Sequence, residues 1–173
     1  MQKMKLPSAG YPQYAHLNKS VVATPHGWLS IFATDESVKA IDFADNFCDT
    51  NENAVSKLAA QQLSEYIAGK RTDFDLPLQP DGTEFQQQVW QALLKIPYGE
   101  TASYLDIALA IGNKKACRAV GAANGKNPIP IVIPCHRIIG SNGKLTGYAG
   151  GLPRKTYLLT LESKDKIENF SLN

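Results

Sequence analysis

The apolar positions in the first half of the chain change period once, from strand-like to helical. Val21–Val22–Ala23, Trp28–Leu29–Ser30–Ile31–Phe32 and Val38–Lys39–Ala40–Ile41–Asp42–Phe43 read as short strands, rich in β-branched and aromatic side chains. Pro25–His26–Gly27 and Thr34–Asp35–Glu36–Ser37 supply turns between them, so an antiparallel meander is expected. Val55, Leu58, Ala59, Leu63, Tyr66 and Ile67 then recur at helical spacing, with Gly69 placed to stop the helix. Lys70 to Asp81, containing Pro77 and Pro80, reads as a linker.

Beyond the linker the pattern is helical and its start signals are explicit. Thr83 with Gln86 forms a capping box ahead of Phe85, Val89, Trp90 and Leu93, and Pro97–Tyr98–Gly99 closes that segment. Ser103 with Asp106 opens a shorter helix whose apolar side carries Tyr104, Ile107, Ala108 and Ile111. Gly112–Asn113 makes a tight break. Lys114 to Asn124 then predicts another helix, with alanine and glycine along its exposed side and Gly125 at its end. Two short helices joined by a glycine-containing turn form the helix-turn-helix pattern. The expected fold class is therefore α+β. An N-terminal domain with linker (1–80) carries an antiparallel sheet plus helix. A mostly helical C-terminal domain (81–173) carries the helix-turn-helix and a reactive loop. No internal repeat or low-complexity tract alters this division.

Composition excludes some classes. Hydrophobic residues make up 43% and charged residues 20%, which fits a globular protein rather than a disordered one. No apolar run approaches a membrane span, and Met1 to Gly10 lacks the apolar stretch of a secretory signal. The net charge of +2 conceals an asymmetry. Residues 1–106 hold eight Lys/Arg against thirteen Asp/Glu, whereas residues 107–161 hold eight Lys/Arg and no acid. The eight are Lys114, Lys115, Arg118, Lys126, Arg137, Lys144, Arg154 and Lys155. A long stretch without a carboxylate suggests a polyanionic partner. In the second helix of the pair, Ala116, Ala119, Gly121, Ala122 and Ala123 are too short to read base edges across a wide groove. They would let the backbone approach a narrow minor groove with Arg118 as the one long probe, or else serve tight packing in a core.

Cys48, Cys117 and Cys135 are scattered, form no CxxC pair, and gain no metal spacing from His16 or His26. Neither zinc nor a disulfide framework is expected, and free thiols suit a reducing compartment. Cys135 stands apart. It follows the apolar run Ile129 to Ile133 and Pro134, with Pro128 at the other end, and it precedes His136–Arg137–Ile138. Prolines on both sides stiffen the backbone and prevent a helix. Thiolate is the reactive form, and a neighbouring histidine or basic group favours it. Glu162 is the one downstream carboxylate that follows a helical run (Tyr157, Leu158, Leu159, Leu161). Consecutive residues of an extended chain point to opposite sides, so Cys135 and His136 need a turn or a bridging water to cooperate. On the residues alone, Cys135 is either a nucleophile or a small buried hydrophobe. A cysteine hydrolase using a remote histidine and a helix-turn-helix regulator with an inert cysteine also remain open.

The segment Ile131–Val132–Ile133–Pro134–Cys135–His136–Arg137–Ile138 closely resembles the active-site signature of the O6-alkylguanine-DNA alkyltransferases, the methylated-DNA–protein-cysteine methyltransferases. The likeness extends through Gly99–Glu100, Ser103–Tyr104, Arg118–Ala119–Val120–Gly121, Asn127–Pro128, Thr146–Gly147–Tyr148–Ala149–Gly150–Gly151 and Leu158 to Glu162, covering roughly residues 83–162. The first region resembles the family's variable, ribonuclease-H-like domain in its strand-then-helix order. The resemblance implies irreversible, single-turnover transfer of an alkyl group from O6-alkylguanine, and from O4-alkylthymine if it is accepted, to Cys135. It implies that His136 deprotonates Cys135 through a water, that Glu162 orients His136 and that Asn127 braces the loop. Tyr104 would promote base rotation and bond the base, and Arg118 would fill the vacated place in the stack. Asn113, Ala119, Gly121 and Ser141 would join them at the DNA. Ile138, Tyr148, Ala149 and Gly150 would line the pocket, with the carbonyls of Cys135 and Ile138 receiving the guanine amino group.

Ile138 stands where valine is usual, and Ala149 where some members carry serine. The cysteines of the zinc site found in some relatives are missing from the N-terminal region. The resemblance thus implies no cofactor and no metal, a duplex DNA partner bound through the minor groove, no membrane and no obligate protein partner. The expected state is a monomer in the cytoplasm, nucleoid-associated in a bacterium or nuclear in a eukaryote.

Overall fold

Strands β1 (Asn18–Thr24), β2 (Gly27–Ala33) and β3 (Val38–Ala44) pair antiparallel in chain order, with Val22 opposite Leu29 and Ile31 opposite Ile41. The computed structural model describes residues 12–163 and divides them into two compact units between Asp81 and Gly82. Each strand runs one to three residues past the apolar segments that announced it, because ladder hydrogen bonds extend to the turns. Helix α1 (Ala54–Ile67) covers the sheet. Its start is a capping box: Asn53 accepts from the Ser56 N–H, and the Ser56 hydroxyl accepts from the Asn53 N–H. Gly69 at φ +74° ends it, a conformation that an L side chain resists.

The buried face of α1 differs from the expected one. Leu58 is exposed, while Ser56 and Gln62 are buried beside Ala59, Leu63 and Tyr66. Both polar residues are satisfied internally, which makes their burial tolerable. Ser56 meets Ser20 at 2.8 Å. The Gln62 amide donates to the Asp75 carbonyl and accepts from the Asp75 N–H. That pair ties the linker segment, residues 70–81, into the first unit. The segment is tied to α1 and also lies along β3, where the Val38 N–H donates to the Pro77 carbonyl and the Gln79 N–H to the Val38 carbonyl. Asp81 belongs with this first unit, bonded by the Tyr14 hydroxyl and the Lys39 ammonium.

The second unit is built from α2 (Glu84–Leu93), α3 (Tyr104–Ala110), α4 (Cys117–Gly125) and α5 (Leu152–Glu162). Two-residue strands β4 (Ala102–Ser103) and β5 (Ile138–Ile139) pair parallel between them. The capping boxes at Thr83/Gln86 and Ser103/Asp106 both form. Val89, Trp90 and Leu93 of α2, Ile107 and Ala108 of α3, and Val120 and Ala123 of α4 make the core with Ile129, Ile131, Ile133, Leu158 and Leu161. The Trp90 indole N–H is satisfied by the Ala123 carbonyl at 2.9 Å. Helix α4 starts three residues later than expected. Lys114–Ala116 form a turn in which the Ala116 N–H donates to the Asn113 carbonyl, and no side chain caps the helix. No helix among the described residues is long and apolar enough to cross a membrane.

Candidate active site

The chain from Asn127 to Ile138 is buried throughout, although its first part, up to Pro134, is neither helix nor regular sheet. A buried irregular segment must satisfy its backbone from side chains. Asn127 does this: its amide nitrogen donates to the Ile133 carbonyl at 2.8 Å, and its oxygen accepts from the Ile129 N–H at 2.9 Å. Loss of that side chain would leave the buried Ile129 N–H unpartnered, at about 1–3 kcal/mol, while the Ile133 carbonyl would keep the Cys135 N–H. The loop also contains Ile131 at φ +73°, where a β-branched residue is strained by on the order of 1–3 kcal/mol. The Ile133 N–H to Ile129 carbonyl bond and the Asn127 bracket hold it there.

This loop delivers Cys135 into a 3-10 turn, Cys135–Arg137, so the turn that cooperation with His136 required is present. Cys135 is only 4% exposed and His136 is fully buried. Nε2 of His136 lies 2.7 Å from Oε2 of Glu162, the last residue of α5. Arg137 grips the same carboxylate with Nε at 2.7 Å and Nη2 at 3.0 Å, and its Nη1 donates to the Ile96 carbonyl. Burial pushes the Glu162 carboxyl up, but the hydrogen bonds from His136 and Arg137 outweigh it and bring it down to about 2. An ionised carboxylate only accepts, so Nε2 of His136 carries the proton and Nδ1 of the neutral ring is basic. Nδ1 makes no hydrogen bond with any described residue. Burial, opposed by Glu162, holds His136 below its ordinary pKa and hence neutral. Burial pushes the Cys135 thiol up to about 11, with Asn127 and Lys155 pulling the other way. A protonated thiol is thus followed in the same turn by a neutral base whose Nε2–H is held by Glu162.

These shifts make stability depend on pH. Below about pH 6.5 the unfolded chain protonates His136 while the folded chain resists, so stability falls. The contribution of Glu162 is present above about 4.5 and is lost as the pH falls towards about 2. In a Trp28→Phe background, where Trp90 reports the second unit, the urea midpoint should drop from pH 7 to 5 and further from 5 to 3. A midpoint unchanged between pH 7 and 5 would contradict a buried neutral His136.

Tyr104, the first residue of α3, meets the Thr146 hydroxyl at 2.5 Å, and its ring lies against Gly121. Gly121 is therefore half-buried, and Ala123 is in the core, so of Ala116, Ala119, Gly121, Ala122 and Ala123 only Ala119 and Ala122 are exposed. Arg118 is exposed on the first turn of α4, and Asn113 lies in the exposed turn before it. Ser141 is exposed within the turn closed by Gly140 and Lys144. Tyr148 is half-buried, its phenol raised by burial and by the nearby Cys135. Ala149 is exposed, and the Gly150 carbonyl accepts from Arg154. The Ile138 carbonyl accepts from Lys155, and the Cys135 carbonyl from the Ile138 N–H and Asn124.

The basic block is not uniform. Lys114, Lys115, Arg118, Lys126 and Lys144 are exposed and Arg154 is half-buried, whereas Arg137 and Lys155 are buried. The stretch as a whole suggested a polyanionic partner, but these two side chains face inward. Their signal was available, since each sits at a position surrounded by apolar periodicity. Arg137 is marked by the sequence only as a basic neighbour of Cys135, and Lys155 and Thr146 carry no role of their own there, yet all three join the site.

Comparison with known proteins bears on the family. The family described as "6-O-methylguanine DNA methyltransferase, DNA binding domain" matches residues 84–164, and its ribonuclease-like domain matches residues 17–80. A methylated-DNA–protein-cysteine methyltransferase of Methanosarcina barkeri is 47% identical over 152 residues, 84% of this chain and 96% of the relative. The protein of that name from Mycobacterium bovis is 62% identical over 104 residues, 60% of this chain and 63% of the relative. The crystal structure of Mycobacterium tuberculosis O6-methylguanine methyltransferase aligns with a TM-score of 0.78 at 44% identity, covering 86% of this chain and 93% of that one. The M. tuberculosis protein in complex with DNA aligns with a TM-score of 0.77 at 46% identity, covering 83% and 91%. Its two matched domains and its similarity along most of its length show that this chain belongs to the 6-O-methylguanine DNA methyltransferase family.

Proposed function

We propose that this chain repairs O6-alkylguanine in duplex DNA by transferring the alkyl group, once and irreversibly, to Cys135. The observation that carries the reading is the buried turn in which Cys135 adjoins a neutral His136 whose Nε2 is committed to Glu162. Nδ1 of His136 takes the thiol proton, directly or through a water. Sγ then attacks the alkyl carbon; the S–C bond forms as the C–O6 bond breaks, and that electron pair leaves on the base. Tyr104 gives the departing base a proton, a backbone N–H can steady it by a hydrogen bond, and the proton that His136 took from the thiol makes good the one Tyr104 lost. The thioether is not readily cleaved by water or cellular thiols, so Cys135 is consumed. O4-alkylthymine presents the same leaving group and is a second candidate substrate.

The target base must leave the stack to reach a buried thiol. Tyr104 and Arg118 serve that step: one promotes rotation and the other fills the gap. Asn113, Ala119, Gly121 and Ser141 complete a contact surface on the minor groove, with the exposed lysines neutralising phosphates. Ile138, Tyr148, Ala149 and Gly150 line the pocket. The protein works as a monomer, in a compartment that holds DNA and keeps thiols reduced. The test is the intact mass after incubation with a duplex containing O6-methylguanine. One methyl per protein, mapped to Cys135, is expected; a methyl on Cys48 or Cys117, or repeated turnover, would end this reading.

A further inference from the structure

Thr146 stands in the loop between β5 and α5, half-buried between exposed Leu145 and Gly147. Its contacts fix it in place. The Thr146 carbonyl accepts from Lys155 Nζ at 3.3 Å, and a Cβ added at Gly140 would lie 3.6 Å from the Thr146 γ-methyl. The Thr146 hydroxyl meets the Tyr104 hydroxyl at 2.5 Å, and neither has another hydrogen-bond partner among the described residues. With its methyl turned towards Gly140 and its oxygen towards Tyr104, the stiff β-branched side chain has its rotamer set. Tyr104 is held from its own side. It opens α3 behind the Ser103/Asp106 capping box, and a Cβ added at Gly121 would lie 3.6 Å from its ring.

A bonded pair of hydroxyls places one proton between the oxygens and leaves the other free to point elsewhere. When Thr146 donates, the free proton is that of Tyr104, and it can face a base in the pocket. Once Tyr104 has given it up, the phenolate oxygen needs a donor, the more so away from water. We propose that Thr146 is a positioning residue for alkyl transfer: its O–H donates to the Tyr104 oxygen, which frees the phenol proton for the departing base and then steadies the phenolate. The protons and electrons balance. The C–O6 bond breaks with its electron pair on the base, the Tyr104 O–H bond breaks, and that proton goes to the base. The electron pair left on the phenolate oxygen accepts from the Thr146 O–H until the thiol proton, taken by His136, restores the phenol. Thr146 keeps its own proton throughout, because an aliphatic hydroxyl is a far weaker acid than a phenol. The bond from Lys155 to the Thr146 carbonyl anchors the loop, so the hydroxyl stays on Tyr104.

This inference rests on the proposed alkyl transfer to Cys135, and the experiment tells the two failures apart. In a Cys48→Ser/Cys117→Ser background, alkylation of Cys135 is followed with an O6-methylguanine duplex, with free O6-benzylguanine and with iodoacetamide. Iodide leaves without a proton, whereas both guanines need one. Thr146→Val keeps the branched shape and loses the hydroxyl. It should slow both guanine reactions by roughly tenfold or more and leave the iodoacetamide reaction unchanged. Thr146→Ser restores the hydroxyl and should recover most of the rate. In a Tyr104→Phe background, Thr146→Val should slow transfer no further, since the group it acts through is gone. Equal slowing with all three reagents would make Thr146 a packing residue, and a loss confined to the duplex would make it a support for base rotation. Either result overturns the proposal, as does an undiminished guanine rate in Thr146→Val or added slowing in Tyr104→Phe. If Thr146→Val fails to fold, Thr146→Ala takes the same series with the same expectations. A parent that reacts with iodoacetamide but takes no alkyl group from either guanine would end the proposed function and this inference together; every other outcome leaves that function standing.

Discussion

Cys135→Ser should abolish alkyl transfer, by on the order of a thousandfold or more, while leaving DNA affinity unchanged. A serine hydroxyl stays protonated at neutral pH and is the poorer nucleophile even beside a basic imidazole. The substitution is nearly isosteric in a site that is 4% exposed, so the turn and the His136–Glu162–Arg137 cluster should persist. Cys48 and Cys117 cannot substitute. Each is half-buried, its sulfur bonded to a backbone carbonyl, of Asn46 and Lys114 respectively, and no imidazole is bonded to either among the described residues. Single-turnover transfer from an O6-methylguanine duplex, alongside a binding isotherm on the same duplex, checks both halves. Residual transfer within tenfold of the parent would place the acceptor elsewhere.

Arg118→Ala should slow repair of duplex DNA by about a hundredfold while leaving reaction with free O6-benzylguanine nearly unchanged. Rotating a nucleotide out of a duplex costs a few kcal/mol of stacking and pairing. Arg118 is exposed on the first turn of α4 and can offset part of that cost by filling the gap. A free base never incurs it. A lesion opposite an abasic site is already unpaired and should partly rescue the variant. If the salt dependence of binding merely flattened with no specific loss on the paired lesion, Arg118 would be a phosphate contact. If free-base and duplex reactions slowed equally, it would be supporting the pocket or the fold.

Much of the architecture was legible because it is encoded locally. Alternation over residues 21–43 announced the meander, and Thr83/Gln86 and Ser103/Asp106 announced two helix starts to the residue. A capping box satisfies backbone groups within four residues, so sequence distance and spatial distance coincide. The same locality explains the failures. Leu58 was read as core and Gln62 was not, because the partner that makes Gln62 burial acceptable is Asp75, thirteen residues away. The helix over Lys114–Ala116 was overextended because nothing in its composition forbids helix; the Asn113 carbonyl, by holding the Ala116 N–H, makes a turn there instead.

The sequence by itself determined the chemistry on offer: one cysteine on a proline-stiffened run, a histidine beside it, a carboxylate at the end of a later helix and an acid-free basic stretch. The tertiary structure decided which of those groups meet. It folded Cys135–Arg137 into a turn, brought Glu162 across twenty-six residues to His136, and withdrew Arg137 and Lys155 from the basic surface into the site. The physical reason is that a charge's role depends on its dielectric surroundings and its partners, and both are set by contacts distant in sequence. A lysine on α5 is a phosphate contact if it faces water and a tie between the Ile138 and Thr146 carbonyls if it faces inward. Only the packing of that helix against the reactive loop chooses between them.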